Sequence, residues 1–217
     1  TEHAPKARLH TDAVQAVPWI DVAGAGAGAD LISISAHKFG GPKGMGVMVV
    51  KAGTTLEPLI MGGGQERDRR SGTLNVAGIV ATAAALRSTA DSRATEVVRV
   101  AELKRALVSG IMSQLPDTIE TIPTSASVPG VAHLCIAGIE SEALLYLLDE
   151  AGVCASAASA CASGAMEPSH VLQAMGVEPR YVQGALRLSL GHTTTEHDVA
   201  TAIDAIVHSV RRLRHQQ

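Results

Sequence analysis

The chain has 217 residues, 46% of them hydrophobic, with a formal net charge of −3 and a mean hydropathy of +0.19. That suffices for a real core, and with only 2% aromatics the core must be built from Ala, Val, Leu and Ile, as in α/β packing. The charge gives no footprint for nucleic acid, no apolar run reaches the roughly 18 residues of a membrane span, and the first residues lack a signal-peptide core.

Three cysteines, Cys135, Cys154 and Cys161, leave an odd thiol however they pair, which argues against a secreted disulfide scaffold and for a reducing, cytoplasmic setting. Cys135 lies in an apolar run and reads as a buried, inert thiol, while Cys154 opens what looks like a strand. The Cys154–Cys161 spacing lacks the short pairing of a zinc site, so no metal is expected.

In chain order, Leu9–Val17 reads as beginning in mid-fold, and Asp12 there has the ordinary reading of a cap or turn residue. Residues 24–29 fit a glycine-rich dinucleotide pattern but lead into a strand rather than a helix, so 24–30 reads as a flexible connection. Leu31–Ile34 is a short, β-branched buried strand. Ser35, His37 and Lys38 follow, and then a loop punctuated by Gly40, Gly41, Pro42, Gly44 and Gly46. A lysine at a strand exit is usually a snorkelling surface group. Beside a tight glycine loop that lets backbone approach a ligand, it could instead be a Schiff-base nucleophile, since partial desolvation frees the amine.

Val47–Val50 reads as the returning strand, and the glycine run at 62–64 with the charges after it as a solvated loop. A helix is expected from Asn75 through Leu86, and a second one carries Val97, Val100, Leu103, Leu107 and Ile111 on one face before Pro116. This pair marks the passage from a first domain, 1–88, into a second, 89–217. A strand closing at Ile136 and a helix of Leu144, Leu145, Leu147 and Leu148 follow, with Gly152 at the position just past the helix end.

Ala155–Ser169 has almost no side chain large enough to anchor a core, so a mobile surface loop is expected, with Cys161 accessible on it. Only the thiolate of such a cysteine is nucleophilic. Ala185–Gly191 alternates like a strand and places Arg187 between leucines. A buried arginine needs an anionic partner, and its planar fork suits a carboxylate. Thr193–Glu196 has the spacing of a capping box, opening a last helix with Val199, Ile203, Ile206, Val207, Val210 and Leu213 inward. The basic tail 211–215 reads as a solvated helix end.

The string from Ser35 to Gly44, Ser-Ala-His-Lys-Phe-Gly-Gly-Pro-Lys-Gly, resembles the lysine motif of pyridoxal-phosphate (PLP) enzymes of the class V aminotransferase fold. Within that fold it is most similar to the cysteine desulfurases of the nitrogen-fixation and iron–sulfur-cluster type. Three further stretches carry the likeness: His10–Gln15, the Gly-Gly-Gly-x-Glu-Arg…Arg-Ser-Gly-Thr run ending at Thr73, and Ser159–Leu172. The resemblance implies the C-terminal part of a fold type I PLP-dependent transferase large domain (residues 1–88, incomplete) plus a smaller α+β domain carrying the cysteine loop (89–217).

It makes Lys38 the lysine that holds the cofactor and Ser35 and His37 phosphate contacts. Asp12 becomes the partner of the protonated pyridine nitrogen, and Gln15 that of the phenolic oxygen. Thr73 reaches the phosphate in a neighbouring subunit, which implies a homodimer. Arg187 takes the substrate carboxylate, and Cys161 is the persulfide nucleophile that receives sulfur from L-cysteine and hands it to an acceptor or iron–sulfur scaffold protein. Asp68 stands where a small residue is more usual.

The family's large domain begins well before Thr1, so this stretch alone is expected to bind PLP poorly and to be inactive. The alternatives are a selenocysteine lyase or aminotransferase of the same fold, or an inactive fragment that serves as a docking module.

Overall fold

The computed structural model describes residues 4, 6–157 and 169–215. The chain divides into two compact units, Thr1–Ala94 and Thr95–Gln217.

The first unit is built on a three-stranded sheet in the order β1 (His10–Asp12), β2 (Leu31–Ser35), β3 (Gly46–Val50). β1 runs parallel to β2, and β3 returns antiparallel to it with Ile32 opposite Val49 and Ile34 opposite Val47. The period of two in Leu-Ile-Ser-Ile-Ser buries Ile32 and Ile34 on one face and leaves Leu31, Ser33 and Ser35 half-buried on the other. Ile32 and Ile34 pack with Ala13, Val17, Ala36 and Phe39, and the start of α3 (Val76–Gln114) contributes Ala85. Two side chains of that helix also hold loop carbonyls. Thr89 Oγ1 donates to Phe39 O at 3.2 Å, and Arg93 Nε donates to Val17 O at 3.0 Å. The span 24–30, expected as an irregular connection, begins inside a short helix, α1 (Val22–Ala25), capped by the Asp21 carboxylate on Ala23 N.

β2 and β3 are joined by a 3₁₀ turn, Ala36–Phe39, and the glycine loop. Gly40 closes the turn in the left-handed region at φ 83°, and Gly41 N donates back to Ala36 O at 2.8 Å. β3 is an edge strand whose Val47, Met48 and Val49 are exposed.

One turn, α2 (Gln65–Asp68), is left-handed over Glu66, Arg67 and Asp68, with φ of 52°, 57° and 62°. Aspartate tolerates that region better than most residues, because its short side chain can bond locally. This explains how Asp68 fits where a small residue is more usual. Asp68→Gly should remove about 1–2 kcal/mol of left-handed strain against roughly 0.5–1 kcal/mol of added chain entropy. The expected result is a protein more stable by roughly 0.5–1 kcal/mol in urea unfolding; a destabilised variant would contradict the strained turn.

α3 is a single helix of 39 residues, not the expected pair. The polar stretch from Arg87 to Glu96, between the two expected helices, holds no proline or glycine to stop the helix.

In the second unit β4 (Thr118–Glu120), β5 (Val131–Ile136) and β6 (Ala185–Ser189) form an antiparallel sheet in that order. On one face Ala132, Leu134, Ile136, Leu186 and Leu188 are buried. The core of this unit also includes Val100, Leu103, Leu107 and Ile111 of α3, Leu144 and Leu148 of α4 (Ser141–Glu150), and Val199, Ile206, Val207 and Val210 of α7 (Glu196–Arg214). On the opposite face Cys135 and Ala185 pack against Leu172 of α5 (His170–Ala174) and Tyr181 and Val182 of α6 (Pro179–Val182).

α4 ends as its sequence demands. Gly152 is left-handed at φ 76° and Val153 N reaches back to Leu148 O at 2.8 Å. The capping box of α7 lies two residues beyond the expected one. Thr195 Oγ1 accepts from Asp198 N and Asp198 Oδ2 accepts from Thr195 N. The Thr194 hydroxyl is occupied in the preceding turn, accepting from Gly191 N at 2.9 Å. That turn is clamped by Arg99, which donates to the carbonyls of Gly191, His192 and Thr194 and to both oxygens of Glu96.

Candidate active site

In the first unit β1 and β2 are parallel, so their carboxyl ends open on the same edge of the sheet, where α/β folds place ligands. Asp12 is the last residue of β1, Ser35 the last of β2, and His37 and Lys38 lie in the 3₁₀ turn that follows at once. The strand register sets Asp12 opposite Ser33, two residues before Ser35. Asp12 Oδ1 accepts from Val14 N at 2.9 Å, which fixes the carboxylate in the turn leading to Gln15. Ser35 Oγ and His37 Nδ1 share a hydrogen bond of 2.9 Å. Asp12, Gln15, His37 and Lys38 are exposed and Ser35 is half-buried.

This edge therefore gathers a carboxylate, an amide, a hydroxyl, an imidazole and an amine. Next to them, His10 Nε2 and Ser33 Oγ are hydrogen-bonded at 2.6 Å. Sequence reasoning did not single out that pair; the signal was the placement of both residues on the sheet face that carries Asp12.

Thr73 is exposed, in the segment after α2. It is flanked by Gly72, whose N donates to Gln65 Oε1 at 2.9 Å, and Ser71, whose N donates to Ile60 O at 3.0 Å. Among the described residues no hydrogen bond or ion pair joins Thr73 to the group around Lys38.

In the second unit Arg187 lies at the middle of β6. It is half-buried rather than buried, and among the described residues no carboxylate comes within ion-pair distance of it. Its backbone exchanges two hydrogen bonds with Ser156, at 3.1 and 2.7 Å. The segment at 154–157 thus contributes this one isolated bridge rather than the strand expected at Cys154. It ends where the span 158–168 begins; Cys161 and its neighbours lie outside the described residues. On β5, His133 faces Arg187 directly and shares a 2.7 Å hydrogen bond with Thr121 Oγ1. Burial, and secondly the Arg187 charge, push the His133 imidazole below its ordinary pKa.

The other two thiols differ. Cys135 is fully buried and burial pushes it up to about 11, which keeps it protonated and unreactive at neutral pH. Cys154 is exposed and free. A buried lysine was also missed. Lys104 on α3 is 1% exposed and its Nζ donates to Ser127 Oγ at 2.5 Å and Val128 O at 3.3 Å. Its position on the helix gives no sign of this, because the partners come from a distant loop. Among the described residues no helix is long and apolar enough to cross a membrane.

Comparison with known proteins adds the following. An IscS-like cysteine desulfurase of Mycobacterium tuberculosis is 41% identical over 207 residues, covering 95% of this chain and 53% of that protein. Cysteine desulfurase IscS of Dictyoglomus turgidum is 40% identical over 206 residues, covering 95% and 52%. Among solved structures, a NifS-like protein superposes with a TM-score of 0.83 at 35% identity, covering 94% of this chain and 52% of its own. The NifS-like protein of Rickettsia africae does so with a TM-score of 0.83 at 28% identity, covering 95% and 54%. The chain thus spans about half the length of the curated relatives it matches. The Aminotransferase class-V family matches residues 1–201, nearly the whole sequence, and with relatives this similar the chain belongs to the class-V aminotransferase family.

Proposed function

We propose that the chain is the C-terminal part of a PLP-dependent cysteine desulfurase, with residues 1–88 completing the cofactor domain and 89–217 forming the small domain. The observation that carries this reading is the cluster at the carboxyl ends of β1 and β2. The donor set fits PLP group by group. Lys38 offers an amine to the aldehyde, Asp12 an anion to the protonated ring nitrogen, and Gln15 an amide to the phenolic oxygen. Ser35 and His37, already bonded to each other, offer a hydroxyl and an imidazole to the phosphate. Thr73 would serve the phosphate of a second copy, so the working form is a homodimer. The names of the relatives support L-cysteine as substrate and sulfur transfer as the outcome.

When bound, PLP supplies an electron-poor ring that takes up the electron pair left at the substrate's Cα. The chain's own residues do the rest. Asp12 would hold the ring-nitrogen proton as an anionic partner. Arg187 holds the substrate carboxylate with its planar fork, on a strand fixed from both sides by β5 and by Ser156. The Lys38 amine takes the Cα proton as general base. The Cys161 thiolate forms an S–S bond to the substrate sulfur as the Cβ–S bond breaks. The electron pair of that bond goes to Cβ, which gains a proton, the protonated Lys38 amine returns a proton to Cα, and the product leaves as alanine with the sulfur retained as a persulfide on Cys161.

The reading is tested with Cys161→Ala in the full-length protein to which this chain contributes the C-terminal part. Sulfur release from L-cysteine should fall at least about 100-fold while PLP binding is retained, since only the nucleophile is removed. Undiminished sulfur release would mean another acceptor group or a sister activity of the same fold. Failure of the unmodified full-length protein to bind PLP would leave the docking-module reading.

A further inference from the structure

One polar row crosses the sheet of the second unit. Thr121 follows β4 and its N donates to His133 O at 3.1 Å. His133 on β5 stands opposite Arg187 on β6, and Arg187 is bridged to Ser156. The four lie on one face of the sheet, since directly paired residues project to the same side. His133 is half-buried, and its Nδ1 is engaged by Thr121 whichever of the two carries the shared proton. That leaves Nε2 as its remaining hydrogen-bonding atom. Cross-strand neighbours have Cβ atoms about 5 Å apart, so an anion on the guanidinium lies within reach of this imidazole.

We propose that His133 is a positioning residue of the Arg187 carboxylate site: its imidazole shares the bound carboxylate with the guanidinium and links the site's affinity to pH. The inference rests on the reading of Arg187 given above and extends it to a residue that the cofactor cluster does not use.

The charged and titratable surroundings are few. Arg187 is the charge that acts on His133. Cys135, two residues along β5 on the same face, stays neutral at working pH. α5 and α6 cover that face further along through Leu172, Tyr181 and Val182. They bring His170, Glu178 and Arg180, of which Glu178 and Arg180 pair with each other at 2.9 Å. On β4, Glu120 pairs with Leu134 in register and so projects to the opposite face.

The sign follows from this arrangement. In the free site burial, and secondly the guanidinium, disfavour the imidazolium and hold the His133 pKa below its ordinary value. A carboxylate on Arg187 cancels the guanidinium's part of that penalty and favours the imidazolium. By reciprocity, a protonated His133 strengthens carboxylate binding. Binding therefore takes up a proton, and affinity rises as pH falls through the His133 titration.

Proton NMR of the His133 imidazole, identified as the signal missing from His133→Asn, tests this in the protein with saturating propionate as the carboxylate probe and propionamide as its neutral control. Propionate should raise the titration midpoint by roughly one pH unit, equivalent to about tenfold tighter binding to the protonated form, and propionamide should not. In steady-state kinetics with L-cysteine, His133→Asn and His133→Gln should raise KM more at about pH 6 than at about pH 8, with the change in KM rather than kcat; a purely structural role would not give that pH-dependent split. If propionate leaves the midpoint unchanged while Arg187→Gln raises KM strongly, His133 has no part in the site and Arg187 keeps its role. If Arg187→Gln leaves KM unchanged, the carboxylate site itself is misplaced and this inference falls with it.

Discussion

Lys38→Ala in the full-length protein is expected to lower cysteine desulfuration at least about 1,000-fold, because on the proposed reading one amine would serve as both the cofactor anchor and the base for the Cα proton. The placement of Lys38 makes the expectation specific. It sits one residue beyond His37 in a 3₁₀ turn closed by the left-handed Gly40, so its backbone position is set by the end of β2 and not by a flexible loop. Borohydride reduction of the PLP-loaded protein followed by intact mass should attach the cofactor to the unmodified chain and leave Lys38→Ala unlabelled. Labelling of the variant would place the anchor on another lysine, with Lys43 and Lys51 as the neighbours to examine. A variant that retains turnover would remove Lys38 from the chemistry altogether.

Gly184→Ala should be among the most damaging single-methyl additions at the described glycines. A Cβ there would overlap the carbonyl oxygen of Ile136 and lie 2.9 Å from its carbon. The strands cannot move apart to admit it, because Gly184 O accepts from Ile136 N at 2.9 Å at the start of the β5–β6 ladder. A backbone clash of this kind belongs with the exceptional substitutions that cost more than about 4 kcal/mol. Urea unfolding should show the loss, or the variant should fail to accumulate as folded protein. Gly191→Ala is the control. A Cβ at that position meets nothing within 4 Å, and the change should stay within about 1 kcal/mol. Equal stability of the two variants would mean that β5 and β6 do not pair as described.

What the sequence made legible follows the reach of its signals. The strand at Leu31, the turn at Lys38, the return at Val47 and the helix stop at Gly152 are written in neighbouring residues, through period-two alternation and glycines at left-handed positions. The continuity of α3 was misread because a polar face is not a helix stop. Only a breaker is, and Arg87–Glu96 contains none. The capping box at Thr195 was placed two residues early because three threonines in a row offer three candidates. The choice among them is made by Arg99, which lies more than ninety residues away in sequence. His133 and Lys104 depend wholly on distant partners, Arg187 and Thr121 in one case and Ser127 and Val128 in the other.

The uncovered edge of β3 has a practical side. Val47, Met48 and Val49 are an exposed, uncharged and β-prone run on that edge, and Leu59 at 99% and Met61 at 81% add exposed apolar side chains elsewhere among the described residues of the first unit. Strand edges of this kind invite pairing between molecules, so that unit, cut out by itself, would be a poor subject for concentrated solution work. The second unit, with both sheet faces packed, is the piece to excise for spectroscopy.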